Sequence, residues 1–209
     1  MNEAAAQALG RIPDSVTPDE LRAYARRTIA QRPPLGLALR KDAQRFTAMR
    51  GEHWDFRSRR TEWWNVLRML WVADDYPGVA LYRIRTALQR GHVPILPTII
   101  HRTCMVLFGI RIGDQVLIRE GVYVPHGNII IDGITSIGGG CIICPWTTIG
   151  LQQGNFIGPQ IEGGVFVGTG AKILGNVCVG SGAVIGAGAV VVADVPAGAT
   201  AVGVPARAQ

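Results

Sequence analysis

The chain is poor in the residues that usually advertise a mechanism. Its 209 residues hold four histidines and four cysteines. The longest apolar stretch, Pro94 to Phe108, is too short to span a bilayer and is broken by Pro97 and His101, so a helix buried against the segment that follows is expected. The start lacks a charged region followed by an apolar core, so no secretory signal is read there. Cys104, Cys141, Cys144 and Cys178 without such a signal point to reduced thiols and a cytoplasmic protein. Zinc sites want three or four ligands at short spacing, but His53, His92 and His101 all precede residue 111, which leaves His126 alone in the second half; no metal is expected.

Charge and glycine are also missing, each from one half. Residues 1–110 carry 17 Lys plus Arg against 10 Asp plus Glu, whereas residues 111–209 carry 4 against 5. Only 6 of the 27 glycines precede residue 111. The shift predicts two regions, 1–110 and 111–209. The basic half has no zinc-finger, helix-turn-helix or aromatic-rich single-strand motif, so nucleic acid is not the expected partner; a solvated basic face, or attraction to an anionic cofactor, is.

What the second half does have is a period of six. Ile112, Ile118 and Val124 are followed, after a slip of one residue, by Ile131, Ile137, Ile143 and Ile149, and then in phase by Ile161, Val167, Ile173, Val179, Ile185 and Val191. A second small residue stands four positions after most of them, as at Val116, Cys141, Ala171 and Ala189. Neither a strand period of two nor a helical 3.6 accounts for a strict six. Each hexapeptide reads as one face of a prism, a short strand and a turn, and the stack buries what a single repeat cannot. Cys141 and Cys178 fall on inward positions, which makes the Cys141-Ile-Ile-Cys144 motif a packing feature rather than a redox or metal site.

The first half reads as helices. Thr17-Pro18-Asp19-Glu20 gives an N-cap, a proline at the first helical position and a glutamate three residues after the cap; that helix runs to about Gln31. A second covers about Leu35 to Arg50. A third, near Ser58 to Ala73, carries Trp63, Trp64, Leu67, Leu70 and Trp71 at spacings expected to bury one face. Asp74 to Gly78 reads as a turn before a helix to about Gln89.

Two irregularities in the repeat mark candidate chemistry. His126 lies at the slip, in Val124-Pro125-His126-Gly127-Asn128, and displaced backbone in a regular solenoid is where a site is expected. The segment Leu151 to Gln160 holds more residues than a repeat needs and is expected to leave the wall as a loop. No cysteine or serine stands beside His126 as a nucleophile, so direct transfer fits better than a covalent intermediate.

Residues 165–207, VFVGTGAKILGNVCVGSGAVIGAGAVVVADVPAGATAVGVPAR, resemble the carboxy-terminal coils of the serine acetyltransferases, in the hexapeptide-repeat acyltransferase superfamily. The resemblance covers roughly Arg68 to Arg207. It implies an α+β chain, an N-terminal α-helical region followed by a left-handed parallel β-helix. It further implies acetyl-CoA as co-substrate and a homotrimer, or a dimer of trimers through the helical half. His126 falls at the family's catalytic histidine. Gly150, Thr169 and Ala187 fall where members line the coenzyme, and Arg207 near its phosphate end. The acceptor side departs from the pattern. Pro125 replaces the aspartate before the histidine, Arg111 replaces the acidic partner fifteen residues earlier, and Gly158-Pro159 replaces a His-Pro pair. The chain ends in Ala208-Gln209 without the tail that docks a partner sulfhydrylase, so that complex is not expected. These departures favour an O-acetyltransferase acting on a hydroxyl of a sugar, a polysaccharide precursor or another small metabolite. A serine O-acetyltransferase with a remodelled pocket and an inactive β-helix scaffold are the alternatives.

Overall fold

In the computed structural model, residues 17–54, 56–153 and 156–209 are described. Five helices come first: α1 (Pro18–Ala30), α2 (Leu35–Met49), α3 (Arg59–Val72), α4 (Tyr76–Arg90) and α5 (Leu96–Phe108). The capping residues read from the sequence do their work at α1, where the Thr17 hydroxyl accepts the Glu20 N–H and the Glu20 carboxylate accepts the Thr17 N–H. Ser58 and Thr61 form the same reciprocal pair at α3.

Fourteen strands follow Gly109, which ends α5 in a left-handed conformation. They are β1 (Ile110–Ile112), β2 (Leu117–Ile118), β3 (Ile129–Ile131), β4 (Ile134–Ile137), β5 (Ile142–Ile143), β6 (Thr148–Gly150) and β7 (Ile157–Ile161). Then come β8 (Phe166–Val167), β9 (Lys172–Leu174), β10 (Cys178–Val179), β11 (Val184–Ile185), β12 (Val190–Val191), β13 (Thr200–Gly203) and β14 (Ala206–Ala208). They form three sheets, ordered β1-β3-β6-β9-β12, β2-β4-β7-β10 and β5-β8-β11-β13-β14. The chain visits the sheets in rotation, and every named pair is parallel except β13 with β14. Ile131 lies over Ile149, and Val167 over Ile185, so one turn around the prism takes 18 residues. All thirteen periodic aliphatic residues are buried, as are the small residues between them.

Both irregularities are visible in the register. Ile112 pairs with Ile131, 19 residues on, which is the slip containing His126. Ile143 pairs with Val167, 24 residues on, which is the extra segment. Part of it stays in the wall, against the expected loop: Ile157–Ile161 is strand β7, with Ile157 buried over Ile134.

The helical half meets the open end of the first coil. In a parallel stack each strand's outward polar groups are met by the next coil, but the first coil has nothing beneath it. Three buried arginines fill that role. Arg83 donates to the carbonyls of Ile118 and Arg119 at 2.6 and 2.7 Å, and to Asp42 Oδ2 at 2.8 Å. Asp42 Oδ1 accepts the N–H groups of Gly121 and Val122 at 2.7 and 3.2 Å. Arg85 donates to the Ile112 carbonyl at 2.7 Å, and Arg32 to those of Asp114 and Val116. Asp42 and Arg83 are both inaccessible to solvent. Part of the basic excess is therefore internal, while Arg22, Arg26, Arg27, Arg59 and Arg60 remain exposed.

Three helical expectations also need correction. Tyr76, Pro77 and Gly78 belong to α4 rather than to a turn, because Pro77 fits a first helical turn and Gly78 lets Phe108 and Ile110 approach. Helix α3 buries Asn65, Val66 and Met69, while Trp63, Trp64, Leu67, Leu70 and Trp71 are exposed, Trp71 to 92%. Asn65 is accommodated inside by the Thr47 hydroxyl at 3.0 Å. Helix α5 buries Pro97 and Cys104 against its neighbours but exposes Ile99, Val106 and Leu107.

Candidate active site

His126 sits in a turn of left-handed backbone. His126, Gly127 and Asn128 have φ of 57°, 53° and 51°, three successive left-handed residues. A Cβ on residue 127 would overlap the Phe108 carbonyl oxygen, so glycine is required there. The Asn128 N–H donates to that same carbonyl at 3.2 Å, and the Asn128 side-chain amide donates to the His126 carbonyl at 3.2 Å. The turn is thereby fixed to the end of α5, and the imidazole projects into solvent, 80% exposed.

A carboxylate stands beside it after all. The His126 N–H donates to Asp75 Oδ2 at 2.6 Å, and His126 Nδ1 lies 3.8 Å from the same oxygen. Asp75 is the N-cap residue of α4, yet its side chain makes no capping bond to that helix. Sequence reasoning placed it in a turn and missed it, because 51 residues separate it from His126. Tyr123 packs nearby, edge-on to Phe46 at 4.7 Å, and its phenol is pushed up by burial and then by the charge of Asp75.

Above His126 the turns between the third and first sheets stack into one edge of the prism. Trp146 N–H donates to the Asn128 carbonyl at 2.8 Å, Gly170 N–H to that of Pro145 at 2.9 Å, and Gly188 N–H to that of Thr169 at 2.9 Å. Thr169 and Ala187 therefore stand on the same edge as His126, both exposed. With about 4.8 Å per strand spacing, Ala187 lies about 14 Å from the histidine turn. Arg207, in β14 opposite Val202, occupies the far end of this edge beyond β11 and β13. Pro125 and Cys144 neighbour the edge on the third sheet. Burial pushes the Cys144 thiol up, while a hydrogen bond with Thr169 acts the other way, so it is no ready nucleophile.

The remaining sequence candidates lie apart. Gly150 ends β6 at the opposite edge of the first sheet. Arg111 is exposed in β1, in register with Ile130, and makes no hydrogen bond or ion pair among the described residues. Gly158 is in β7 rather than in a loop, buried so tightly that a Cβ would overlap the Thr135 hydroxyl. Among the described residues no group of three or more His, Cys, Asp or Glu side chains could hold a metal. Among the described residues no helix is long and apolar enough to cross a membrane.

A three-sided parallel coil with a lone histidine at the foot of one edge, beneath a run of open turns, defines an acyltransferase of the hexapeptide-repeat class. No protein-family model matches the chain. Known proteins do. A Helicobacter pylori serine acetyltransferase is 35% identical over 151 residues, covering 69% of this chain and 84% of its own. A Synechococcus elongatus serine acetyltransferase is 32% identical over 146 residues, 68% of this chain and 60% of the relative. A solved serine acetyltransferase in complex with CoA superposes with a TM-score of 0.67 at 27% identity, covering 90% of this chain and 75% of that one. The chain belongs to the serine acetyltransferase family.

Proposed function

We propose that the protein is an acetyl-CoA-dependent O-acetyltransferase whose acceptor is a hydroxyl of a sugar, a polysaccharide precursor or another small metabolite. The pairing of His126 with Asp75 at the foot of a continuous edge carries this reading. On it, residues 111–209 are a left-handed β-helix and residues 1–110 its helical base. The protein works as a homotrimer in the cytoplasm, with grooves between neighbouring coils. The thioester end of acetyl-CoA lies at His126 and its pantetheine arm runs along the edge past Thr169 and Ala187. The phosphates lie toward Arg207, and Gly150, at the opposite edge of the first sheet, would meet only a coenzyme bound to a neighbouring copy. The CoA complex of a relative supports this assignment.

His126 Nε2 takes the acceptor's hydroxyl proton as the oxygen attacks the thioester carbonyl. Backbone N–H groups stabilise the oxyanion. Collapse breaks the carbon–sulfur bond, and the departing thiolate recovers a proton from the imidazolium. Asp75 holds the histidine turn through the His126 N–H, with its carboxylate 3.8 Å from Nδ1. Pro125 shapes the acceptor side beside the histidine turn, with Arg111 exposed on the adjoining sheet, while Gly158 is packed inside the coil and takes no part.

The measurement is CoA release. His126→Ala should lose about 10²- to 10⁴-fold in rate with coenzyme binding intact. Asp75→Asn should lose less, through kcat rather than KM. Near-full turnover in His126→Ala on the best acceptor would remove the mechanism. A second reading, serine O-acetylation, is favoured by the names of the relatives and by one carboxylate near His126; L-serine as the best acceptor would establish it. A chain that binds no CoA would be a scaffold.

A further inference from the structure

Trp146 occupies a position that the rest of the edge reserves for residues suited to positive φ. Its φ is 64°, and the corresponding turns use Asn128, Gly170 and Gly188 at 51°, 74° and 68°. A bulky aromatic residue in the left-handed region is strained, and such strain persists where the surroundings enforce it and function uses it. Lys172 holds the backbone there, its ammonium donating to the Trp146 carbonyl at 2.7 Å. Packing within the chain does not account for the residue, since Trp146 is 64% exposed.

Its location is specific. The Trp146 N–H donates to the Asn128 carbonyl, so this turn is the coil directly above the one bearing His126, about 4.8 Å away. The indole therefore stands one coil from His126, on the edge where the acceptor hydroxyl and the thioester have to meet. We propose that Trp146 is a stacking platform for the acceptor, which is therefore a pyranose-bearing molecule rather than a free amino acid. This deepens the acetyltransferase reading and rests on it.

The chemistry matches. An indole presents a flat, electron-rich face. A pyranose offers a face of weakly positive C–H bonds and directs its hydroxyls outward, where one meets His126 Nε2. L-serine has no comparable face to stack on an indole. Arg111, exposed on the neighbouring sheet without a partner among the described residues, tolerates or favours an acidic sugar more than a cation.

Trp146→Gly is an unusually safe test, because glycine suits this φ and should leave the thermal midpoint unchanged or higher. CoA release from acetyl-CoA is measured with methyl glucoside, N-acetylglucosamine, UDP-glucose, UDP-N-acetylglucosamine, L-serine and L-homoserine. At least one pyranose should exceed L-serine in kcat/KM, and Trp146→Gly should raise its KM roughly tenfold to a hundredfold with kcat and CoA binding little changed. Trp146→Phe should recover most of the loss. Independently of turnover, the indole N–H resonance that disappears in Trp146→Phe should shift with a pyranose of the panel and stay in place with L-serine. The proposal is overturned if L-serine is the best acceptor, if no pyranose shifts that resonance, or if Trp146→Gly leaves the sugar KM unchanged. It is equally overturned if Trp146→Gly dissociates the oligomer, which would make the indole an interface residue. Wild-type protein that neither binds CoA nor releases it with any acceptor defeats the acetyltransferase reading itself.

Discussion

At the scale of single residues, the site trades one source of negative charge for another. Position 111, where the resemblance leads one to expect the acidic partner of the histidine, is an arginine; a carboxylate arrives instead from the start of α4, as Asp75. Asp75 thus supplies beside the imidazole a carboxylate that position 111 does not. Arg111 is then free to serve the acceptor. If that acceptor carries a carboxylate or phosphate, Arg111→Asp should abolish turnover and leave CoA affinity unaltered. Full activity in that variant would restrict the acceptor to neutral molecules. The cysteines contribute nothing to this chemistry: burial pushes the Cys141 thiol up to about 11.

At the scale of elements, the informative contacts are those between α2, α4 and the first coil. Arg83→Met would leave Asp42 buried and uncompensated, and loss of about 3–5 kcal/mol is expected from urea denaturation. A loss below about 1 kcal/mol would mean that the pair is dispensable. Acid should loosen the same junction. Hydrogen bonding from Gln89 and the neighbouring Arg85 hold Asp114 below the usual carboxylate range, against the opposing effect of burial. A carboxylate lowered on folding stabilises the fold fully above about pH 4, and that contribution is lost as pH falls through its depressed value. The thermal midpoint should therefore drop below about pH 4, and Asp114→Asn should flatten that drop modestly, because the carboxylate is largely exposed.

These elements also show what a sequence can and cannot disclose. The coil was legible because inward residues recur through local geometry, so Ile112 to Val191 could be read without knowing any partner. The capping at Thr17 was legible for the same reason. Asp75 was not, since its relation to His126 depends on where α4 docks. Arg32, Arg83 and Arg85 read as surface charge, because the carbonyls that satisfy them lie from 27 to 84 residues away. Trp146 raised no signal, for its meaning lies in a backbone angle. Helix α3 misled for another reason: an apolar stripe looks the same whether its own chain or a second copy covers it.

At the scale of the whole molecule, that stripe becomes a prediction. Trp63, Trp64, Leu67, Leu70 and Trp71 form an exposed apolar surface with a concavity lined by Trp54, Thr61, Trp64, Leu67 and Arg68. Monomeric proteins rarely leave such patches bare. We expect the helical halves of two trimers to meet there. Sedimentation equilibrium should give six copies for the wild type and three for Trp64→Glu combined with Trp71→Glu, with CoA release per chain retained. A wild-type monomer at micromolar concentration would refute both assemblies.

The arginines beneath the first coil have one more consequence. A stack of parallel strands is a template, and a bare end would recruit any extended segment, including another copy of the same coil. At one end guanidinium groups occupy the carbonyls that such a segment would need. At the other, β14 folds back antiparallel on β13 and breaks the pattern. The guanidinium caps thus deny the first coil to an incoming strand, and β14 does the same for the last coil of the third sheet; removing the arginine caps, rather than a core residue, is expected to expose a strand edge and to show as concentration-dependent fibre formation.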